Sequence, residues 1–269
     1  MKCSIHSLLF LSILLATSCK EPRYPEPLTP EKALESFQLR EGFEIELFAA
    51  EPHALDPVEM VFDEQGNAYV AEMPDYPFMP EDGKGAGRIR MLQDTDGDGR
   101  IDNSVIFVDS ILEATSMLPW KGGLIVTAAP HIFYLKDTDG DFRADHKEIL
   151  FSGFFENNSE AQITSLRFGI DNWIYAANNG QAGNVTSKLK PDAAPLPMGG
   201  ADFRFRLDRE EYELESGGAQ FGQTIDDWGN RFISQNTLHI RQVVMPRRYL
   251  NRHPHTPAST SMVNISDHE

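Results

Sequence analysis

Cysteine is nearly absent from this 269-residue chain, which contains only Cys3 and Cys19. Everything after residue 19 therefore lacks the material for a disulfide-stapled fold, a thiolate zinc site or a thiol nucleophile. Basic residues are also scarce, with 24 against 41 acidic residues and a formal net charge of −17. Because phosphate groups are recognised by basic surfaces, this balance argues against nucleic acid or an anionic membrane surface as the main partner.

Long hydrophobic runs and the common catalytic motifs are missing as well. The apolar stretch at residues 8–16 is too short to cross a bilayer. The sequence has no serine nucleophile elbow, no phosphate-binding glycine loop and no zinc-type histidine cluster. No pair of carboxylates has a spacing that would by itself support glycoside hydrolysis. A hydrolase is therefore a poor interpretation of this sequence.

The amino terminus has the features of a lipoprotein signal. Lys2 supplies a positive charge, the apolar stretch follows, and ATSC at residues 16–19 resembles a lipobox. We predict a signal peptide over residues 1–18, with Cys19 as the lipidated residue that anchors the protein to a membrane face without spanning it. An ordinary secretory signal with an incidental cysteine is the alternative. Residues 19–37 are proline-rich and predict an extended tether, and the expected location is extracytoplasmic, in the periplasm or at the cell surface.

A β-rich unit recurs four times within residues 38–269, the predicted folded domain. Each copy is a short strand, a tight turn of Asp, Asn or Gly, and a second strand. The copies are FDEQGNAYVAE at 62–72, LPWKGGLIVTAA at 118–129, GIDNWIYAANN at 169–179 and IDDWGNRFISQN at 225–236. Their turns are 57, 49 and 57 residues apart. This period predicts an all-β protein of the β-propeller type, with about four blades and an incomplete carboxyl end, rather than a sandwich.

Two copies of one aspartate-rich cassette stand between predicted strands, DTDGDGRID at 94–102 and DTDGDFRAD at 137–145. Carboxylates at every second position can converge on one hard cation, and we predict calcium. Neither copy is a full EF-hand, because Val105 replaces the final glutamate of the first and Phe142 replaces the turn glycine of the second. Solvated acidic turns without metal are the alternative. The predicted ligands are Asp94, Asp96, Asp98 and Asp102 in the first loop, and Asp137, Asp139, Asp141, Asp145 and Glu148 in the second.

Several longer phrases occur in a fixed order. They are GFEIELFAAEPHALDPVEMVFDEQGNAYVAEMPDYP at 42–77, GRIRMLQDTDGDGRID at 87–102, GIDNWIYAANNG at 169–180, GGADFRFRLD at 199–208 and AQFGQTIDDWGNRFISQN at 219–236. Together they resemble the amino-terminal propeller of the PVC-type membrane-bound dehydrogenases, which are related to the quinoprotein glucose/sorbosone dehydrogenases. The resemblance implies a six-bladed propeller that oxidises a sugar or alcohol with calcium and pyrroloquinoline quinone (PQQ) and passes electrons to a cytochrome c. The chain has no CxxCH haem motif, so a haem domain would lie elsewhere.

The same resemblance directs attention to the stretch before GIDNWIY, where the related quinoproteins place a catalytic histidine. Here that stretch reads SEAQITSLRF and contains none. His239 is then the candidate general base, with a structural histidine as the alternative, and Arg167 is the candidate for an anionic cofactor or substrate. The three tryptophans fall in the repeated turns and predict packing between blades. Predicted strand ends at the channel mouth supply the candidate ligand-binding residues Glu72, Asp75, Tyr76, Asn178 and Asn179.

Two functions follow from these observations. The first is a calcium-dependent, lipid-anchored dehydrogenase of the sugar or alcohol type. The second is a non-catalytic extracytoplasmic propeller that binds glycans or a partner protein, and the missing histidine favours it.

Overall fold

The computed structural model describes residues 26–78, 84–252, 255 and 260–266. The predicted signal peptide and Cys19 lie outside the described residues. The chain divides into two compact units, one ending at Leu47 and one beginning at Phe48. The first contains helix α1 (Pro30–Glu35), which begins at Thr29, whose hydroxyl accepts the Lys32 N–H at 3.4 Å. Within the described residues no helix has the length and hydropathy needed to span a bilayer.

The second unit confirms the all-β prediction. Its strands form four antiparallel sheets, none of which closes on itself within the described residues. The first sheet contains β1 (Pro57–Phe62), β2 (Ala68–Glu72), β3 (Arg88–Gln93) and β4 (Asn103–Val108). The second contains β5 (Ser116–Trp120), β6 (Gly123–Ala128), β7 (His131–Lys136) and β8 (His146–Ser152). A 3-10 helix (Ser159–Ala161) leads to the third, which begins with β9 (Thr164–Phe168) and β10 (Ile174–Ala177).

A hairpin interrupts the third sheet and extends the second. Its strands are β11 (Gly183–Ser187) and β12 (Leu196–Met198), and β11 pairs with the edge strand β8. The chain then returns to the third sheet with β13 (Asp202–Arg206) and β14 (Glu211–Glu215). The fourth sheet contains β15 (Gly222–Ile225), β16 (Arg231–Ser234), β17 (Arg241–Val243) and β18 (Met262–Asn264), with the short helix α2 (Arg247–Leu250) before its last strand.

The four strand–turn–strand units of the sequence repeat are the opening hairpins of the four sheets, as predicted. The first and fourth use the same turn chemistry. Asp63 and Asp226 each accept, on one carboxylate oxygen, the backbone N–H groups two and four residues further on. Gly66 and Gly229 adopt positive φ values of 88° and 84° in these turns, a conformation that glycine tolerates best.

The hydrophobic core lies between successive sheets. The first and second sheets share a cluster that includes Met91 and Leu124. Phe151 of β8 lies in a larger cluster shared with the third sheet, and a smaller one joins Ala177 to Ile233 of the fourth. The opening strands also follow one another in space, because β1 contacts β5, β5 contacts β9 and β9 contacts β15. This succession brings the amino ends of four strands towards one place.

Candidate functional site

A cavity of about 410 Å³ lies where the amino ends of the four opening strands meet. Val58 of β1, Thr115 before β5, Thr164 of β9 and Phe221 before β15 all line it. These four residues are 57, 49 and 57 residues apart, the same intervals that separate the repeated turns. Each repeat therefore contributes its equivalent position. The other lining residues are Met73, Tyr76, Ser159, Glu160, Gln162 and Gln220.

Three loops meet at Glu160, in the segment between β8 and β9. The Tyr76 hydroxyl, from the loop after β2, donates to the Glu160 carboxylate at 2.5 Å. This hydrogen bond raises the pKa of Tyr76, so the phenol keeps its proton. Gln220, from the loop before β15, donates its Nε2 to the Glu160 carbonyl at 3.3 Å. Glu160 thus connects the walls of the cavity and presents its carboxylate at the surface.

A buried carboxylate sets the orientation of a buried amide beside the cavity. Glu113 is 4% exposed, has a positive φ of 46°, and accepts hydrogen bonds from Ser159 Oγ and Gln162 Nε2. The amide nitrogen of Gln162 faces Glu113, so its amide oxygen points away from Glu113. Gln162 is 3% exposed, and its Oε1 has no hydrogen-bond partner among the described residues. Since buried polar atoms are nearly always paired, this oxygen is an unsatisfied acceptor beside the cavity.

The predicted residue Arg167 lies on β9 and does not line the cavity. Its Nη1 donates to Glu59 Oε1 at 3.3 Å, and Glu59 Oε2 accepts the Met117 N–H at 2.6 Å. Burial raises the pKa of Glu59, against the opposing effect of these hydrogen bonds. The pair connects β1, β5 and β9, so Arg167 takes part in holding three opening strands together.

The three predicted residues in EMPDYP have different roles, because two make structural contacts and one lines the cavity. Glu72 is fully buried and accepts from the Leu55 N–H at 2.8 Å, Arg88 Nε at 2.5 Å and Arg90 Nε at 3.0 Å. The Asp75 carboxylate accepts a hydrogen bond from the Ala86 N–H at 2.5 Å, and this contact fixes the loop after β2. Of the three predicted residues, Tyr76 is the one that lines the cavity.

The remaining predicted residues also lie outside the cavity lining. Asn178 is buried and donates its Nδ2 to the carbonyls of Gln181 and Ala201, at 2.9 and 3.3 Å. Asn179 adopts a positive φ of 46° in the following turn. His239 lines a separate cavity of about 250 Å³ against β15 and β16. His239 and Arg167 therefore do not share a cavity.

The two aspartate cassettes adopt the same loop conformation. Asp94 accepts the N–H groups three and five residues ahead at 2.7 and 2.8 Å, and Asp137 does the same at 2.7 and 2.8 Å. The residue five positions after the first aspartate is Gly99 in one loop and Phe142 in the other, with φ of 88° and 65°. Phe142 thus takes the left-handed conformation that glycine supplies in the first loop. At the end of each loop, a threonine hydroxyl donates to the last aspartate, Thr95 to Asp102 and Thr138 to Asp145.

Three carboxylates converge in each loop, with ligand oxygens within 4.8 Å of one another. The groups are Asp94, Asp96 and Asp102 in the first loop, and Asp137, Asp139 and Asp141 in the second. The hydrogen bond from the Gly99 N–H lowers the pKa of Asp94. For Asp137, desolvation acts to raise the pKa, but the backbone hydrogen bonds to the carboxylate have the larger combined effect, so the pKa is lowered. Glu148 lies on β8, with its carboxylate 3.9 Å from His146 Nε2. Ionised oxygen ligands at this spacing fit a hard cation such as calcium.

The cavity does not fit PQQ. Among its described lining residues there is no Lys, Arg or His, and its ionisable side chains are Tyr76 and Glu160. A cofactor that carries several carboxylates requires cationic partners, because an unpaired charge is costly to bring into a partly buried site. We therefore derive no reaction step through this cofactor.

Sequence reasoning did not identify Glu113, Glu160 or Gln162. A signal was nevertheless present, because SEAQITSLRF, the stretch in which the resemblance implied a histidine, supplies four lining residues. They are Ser159, Glu160, Gln162 and Thr164. The resemblance thus indicated the correct segment of the chain, although the histidine that it implied there is absent.

No curated protein matches the chain. The iodide structure of a Carbohydrate-Active Enzymes Family AA12 protein from Trichoderma reesei aligns at 16% identity over 51% of this chain and 33% of its own, with a TM-score of 0.37. The extracellular domain of a one-component system from B. thetaiotaomicron aligns at 11% identity over 70% of this chain and 28% of its own, with a TM-score of 0.32. The chain thus spans a third or less of the length of either structure, and these overlaps establish no shared activity. The family model described as "Domain of unknown function (DUF7133)" matches residues 29–269, and the chain belongs to that family.

Proposed function

We propose that this protein is an extracytoplasmic, lipid-anchored β-propeller that binds a polyhydroxylated ligand, such as a glycan, in the cavity between its opening strands. The observation that carries the proposal is the unpartnered Gln162 Oε1, a buried acceptor held at the cavity by Glu113. The alternative of a partner protein is less well supported, because the opening is a concave pocket rather than an extended surface.

The arrangement of the sheets supports the propeller. Successive antiparallel sheets, with each opening strand beside the next, are the arrangement of propeller blades around an axis. The spacing of Val58, Thr115, Thr164 and Phe221, which matches that of the repeated turns, supports the same view, since equivalent positions of successive blades face a common channel. Ligands of such proteins bind at the mouth of this channel.

The composition of the cavity supports a carbohydrate-like ligand. The rings of Tyr76 and Phe221 are about half exposed and offer apolar faces to a sugar. Hydroxyl and amide groups from Ser159, Gln162 and Gln220 surround them and are suited to the hydroxyl groups of such a ligand. A pocket with aromatic faces and a few placed polar groups is typical of small-molecule and oligosaccharide sites.

Binding of neutral oligosaccharides by the full chain tests the proposal. In isothermal titration, we expect saturable binding of at least one neutral sugar class, and a loss of about fivefold in affinity in Gln162→Ala, since a hydrogen bond of roughly 1 kcal/mol is removed. Gln65→Ala is the matched control, because Gln65 lies in the exposed turn after β1. Absence of saccharide binding by the folded protein overturns the proposal, as does an equal effect of the two variants.

The dehydrogenase implied by the resemblance stays a prediction, and the same samples separate it from binding alone. Calcium, PQQ and the bound sugar are added together, and quinone reduction is followed by absorbance. Reduction that depends on the protein supports an oxidoreductase, whereas sugar binding without reduction supports a binding protein.

We also propose that the two aspartate loops bind calcium in a structural role. Since a ligand that binds only the folded state stabilises it, millimolar calcium is expected to raise the thermal unfolding midpoint by about 5 °C, and EDTA should reverse the rise. The double variant Asp94→Asn and Asp137→Asn should abolish the response. Asp192→Asn, at an exposed loop position, should leave it intact. An unchanged response in the double variant contradicts the assignment of calcium to these loops.

A further inference from the structure

The hydroxyl groups of the cavity already donate their hydrogens to protein acceptors. Thr115 Oγ1 donates to the Ile163 carbonyl at 2.6 Å, and Thr164 Oγ1 donates to the Thr115 carbonyl at 2.9 Å. Ser159 Oγ donates to Glu113, and the Tyr76 hydroxyl donates to Glu160. What these groups still offer a ligand is their oxygen lone pairs. The site is therefore weighted towards accepting hydrogen bonds.

One of the two glutamine amides, that of Gln162, strengthens this weighting. Gln162 turns its oxygen away from Glu113 and leaves it without a partner among the described residues. Gln220 uses one N–H on the Glu160 carbonyl, and its oxygen accepts the Asn236 N–H at 3.3 Å. Each amide keeps a second N–H, so a few donors remain. A ligand rich in donors nevertheless matches this lining better than a ligand rich in acceptors.

The charge of the site has one sign. Glu160 is an exposed carboxylate, and a second cavity of about 530 Å³ shares Tyr76, Ser159 and Glu160 with the first and adds Glu156. The described residues that line these two cavities include no Lys, Arg or His. The nearby rings of Tyr76 and Phe221 present negative π faces, which attract cations. Carboxylate, ring faces and acceptor oxygens together form the environment in which proteins bind an ammonium group.

From this environment we infer that the ligand carries a protonated amine, and that among saccharides the cavity selects amino sugars over neutral and N-acetylated ones. The ammonium group lies against the Glu160 carboxylate and donates to the acceptor oxygens around it, while the sugar hydroxyls fill the remaining polar positions. This inference rests on the proposed function and specifies its ligand.

Three oligosaccharides that differ only at carbon 2 provide the test, namely β-1,4-linked oligomers of glucosamine, glucose and N-acetylglucosamine. Titrated into the full chain at low ionic strength, the glucosamine oligomer should bind about tenfold more tightly than the other two. The preference should weaken as salt is added, and should disappear as the pH rises and the amine loses its proton. In Glu160→Gln, the affinity for the glucosamine oligomer should fall more than the affinities for the other two, so that the preference drops to near unity.

The net charge of −17 attracts any cation, so a charge-matched control is required. Glu64→Gln removes the same charge from the exposed turn after β1 and should leave the preference unchanged. Equal binding of the three oligomers overturns the inference and leaves the proposed function standing, whereas no binding of any overturns both. An equal loss of preference in Glu64→Gln and Glu160→Gln, or competitive displacement of glucosamine by calcium alone, also overturns the inference.

Discussion

Phe151→Ala is expected to lower the free energy of unfolding by about 3–5 kcal/mol, the range for removing a large aromatic side chain from a packed core. Phe151 is fully buried on β8, and its ring centroid lies 5.2 Å from that of Phe203 and 5.0 Å from that of Phe205, both on β13. Tyr212 of β14 lies at 5.5 Å. The truncation would open a cavity between the second and third sheets that the neighbouring rings fill only in part. Urea denaturation followed by fluorescence measures the change.

Phe78→Ala is the matched control for that measurement, because Phe78 is 84% exposed. Because this side chain buries little apolar surface in the folded protein, its truncation should leave the denaturation midpoint nearly unchanged. Similar midpoints for the two variants would mean that Phe151 does not hold the two sheets together.

Asp202→Asn should be comparably damaging, at about 3–5 kcal/mol, the usual cost of removing one partner of a buried ion pair. Asp202 is fully buried and accepts the Asn178 N–H at 2.9 Å and the Gly218 N–H at 3.1 Å. It also forms an ion pair with Arg231, which is 5% exposed and extends from the fourth sheet to the third. The amide preserves the shape of the side chain but leaves the guanidinium without its countercharge.

An exposed carboxylate in the turn after β13 gives the control. Asp208 accepts from Arg206 at 2.6 Å, and this hydrogen bond lowers the pKa of Asp208. Because water reaches the Asp208 carboxylate and can replace it beside Arg206, Asp208→Asn should lower stability much less than Asp202→Asn does. Equal losses in Asp202→Asn and Asp208→Asn would show that burial does not decide the effect.

Much of the fold could be predicted because its strongest signals are local. The Asp and Gly residues of the repeated turns determine where each opening hairpin reverses, and the repeat interval indicates how many sheets follow one another. The β11–β12 hairpin was not predicted, since its pairing with β8 depends on a contact between distant segments and carries no local signal. Packing was also predicted for Trp228, which is 82% exposed. All three tryptophans lie in repeated turn units, but whether such a side chain is buried depends on the neighbouring sheet.

The site was less predictable for the same physical reason. A carboxylate at a strand end looks available in a sequence, yet Glu72 is occupied by Arg88 and Arg90 from the paired strand. The role of Glu113 depends on side-chain contacts across separate loops, which no motif encodes. The repeat interval was the unused signal: applied to Val58, it leads directly to the other three equivalent positions around the cavity.

The β11–β12 hairpin, which lies between two strands of the third sheet in sequence but extends the second sheet, also affects how the protein unfolds. A chain of independent meanders would open one sheet at a time, from either end. Here β11 pairs with the last two residues of β8, Phe151 and Ser152, and the β11–β12 hairpin is connected on its two sides to β10 and β13 of the third sheet. We therefore expect the amide hydrogens at this end of β8 to exchange with solvent only when the connection to the third sheet also opens, so that the two middle sheets exchange together.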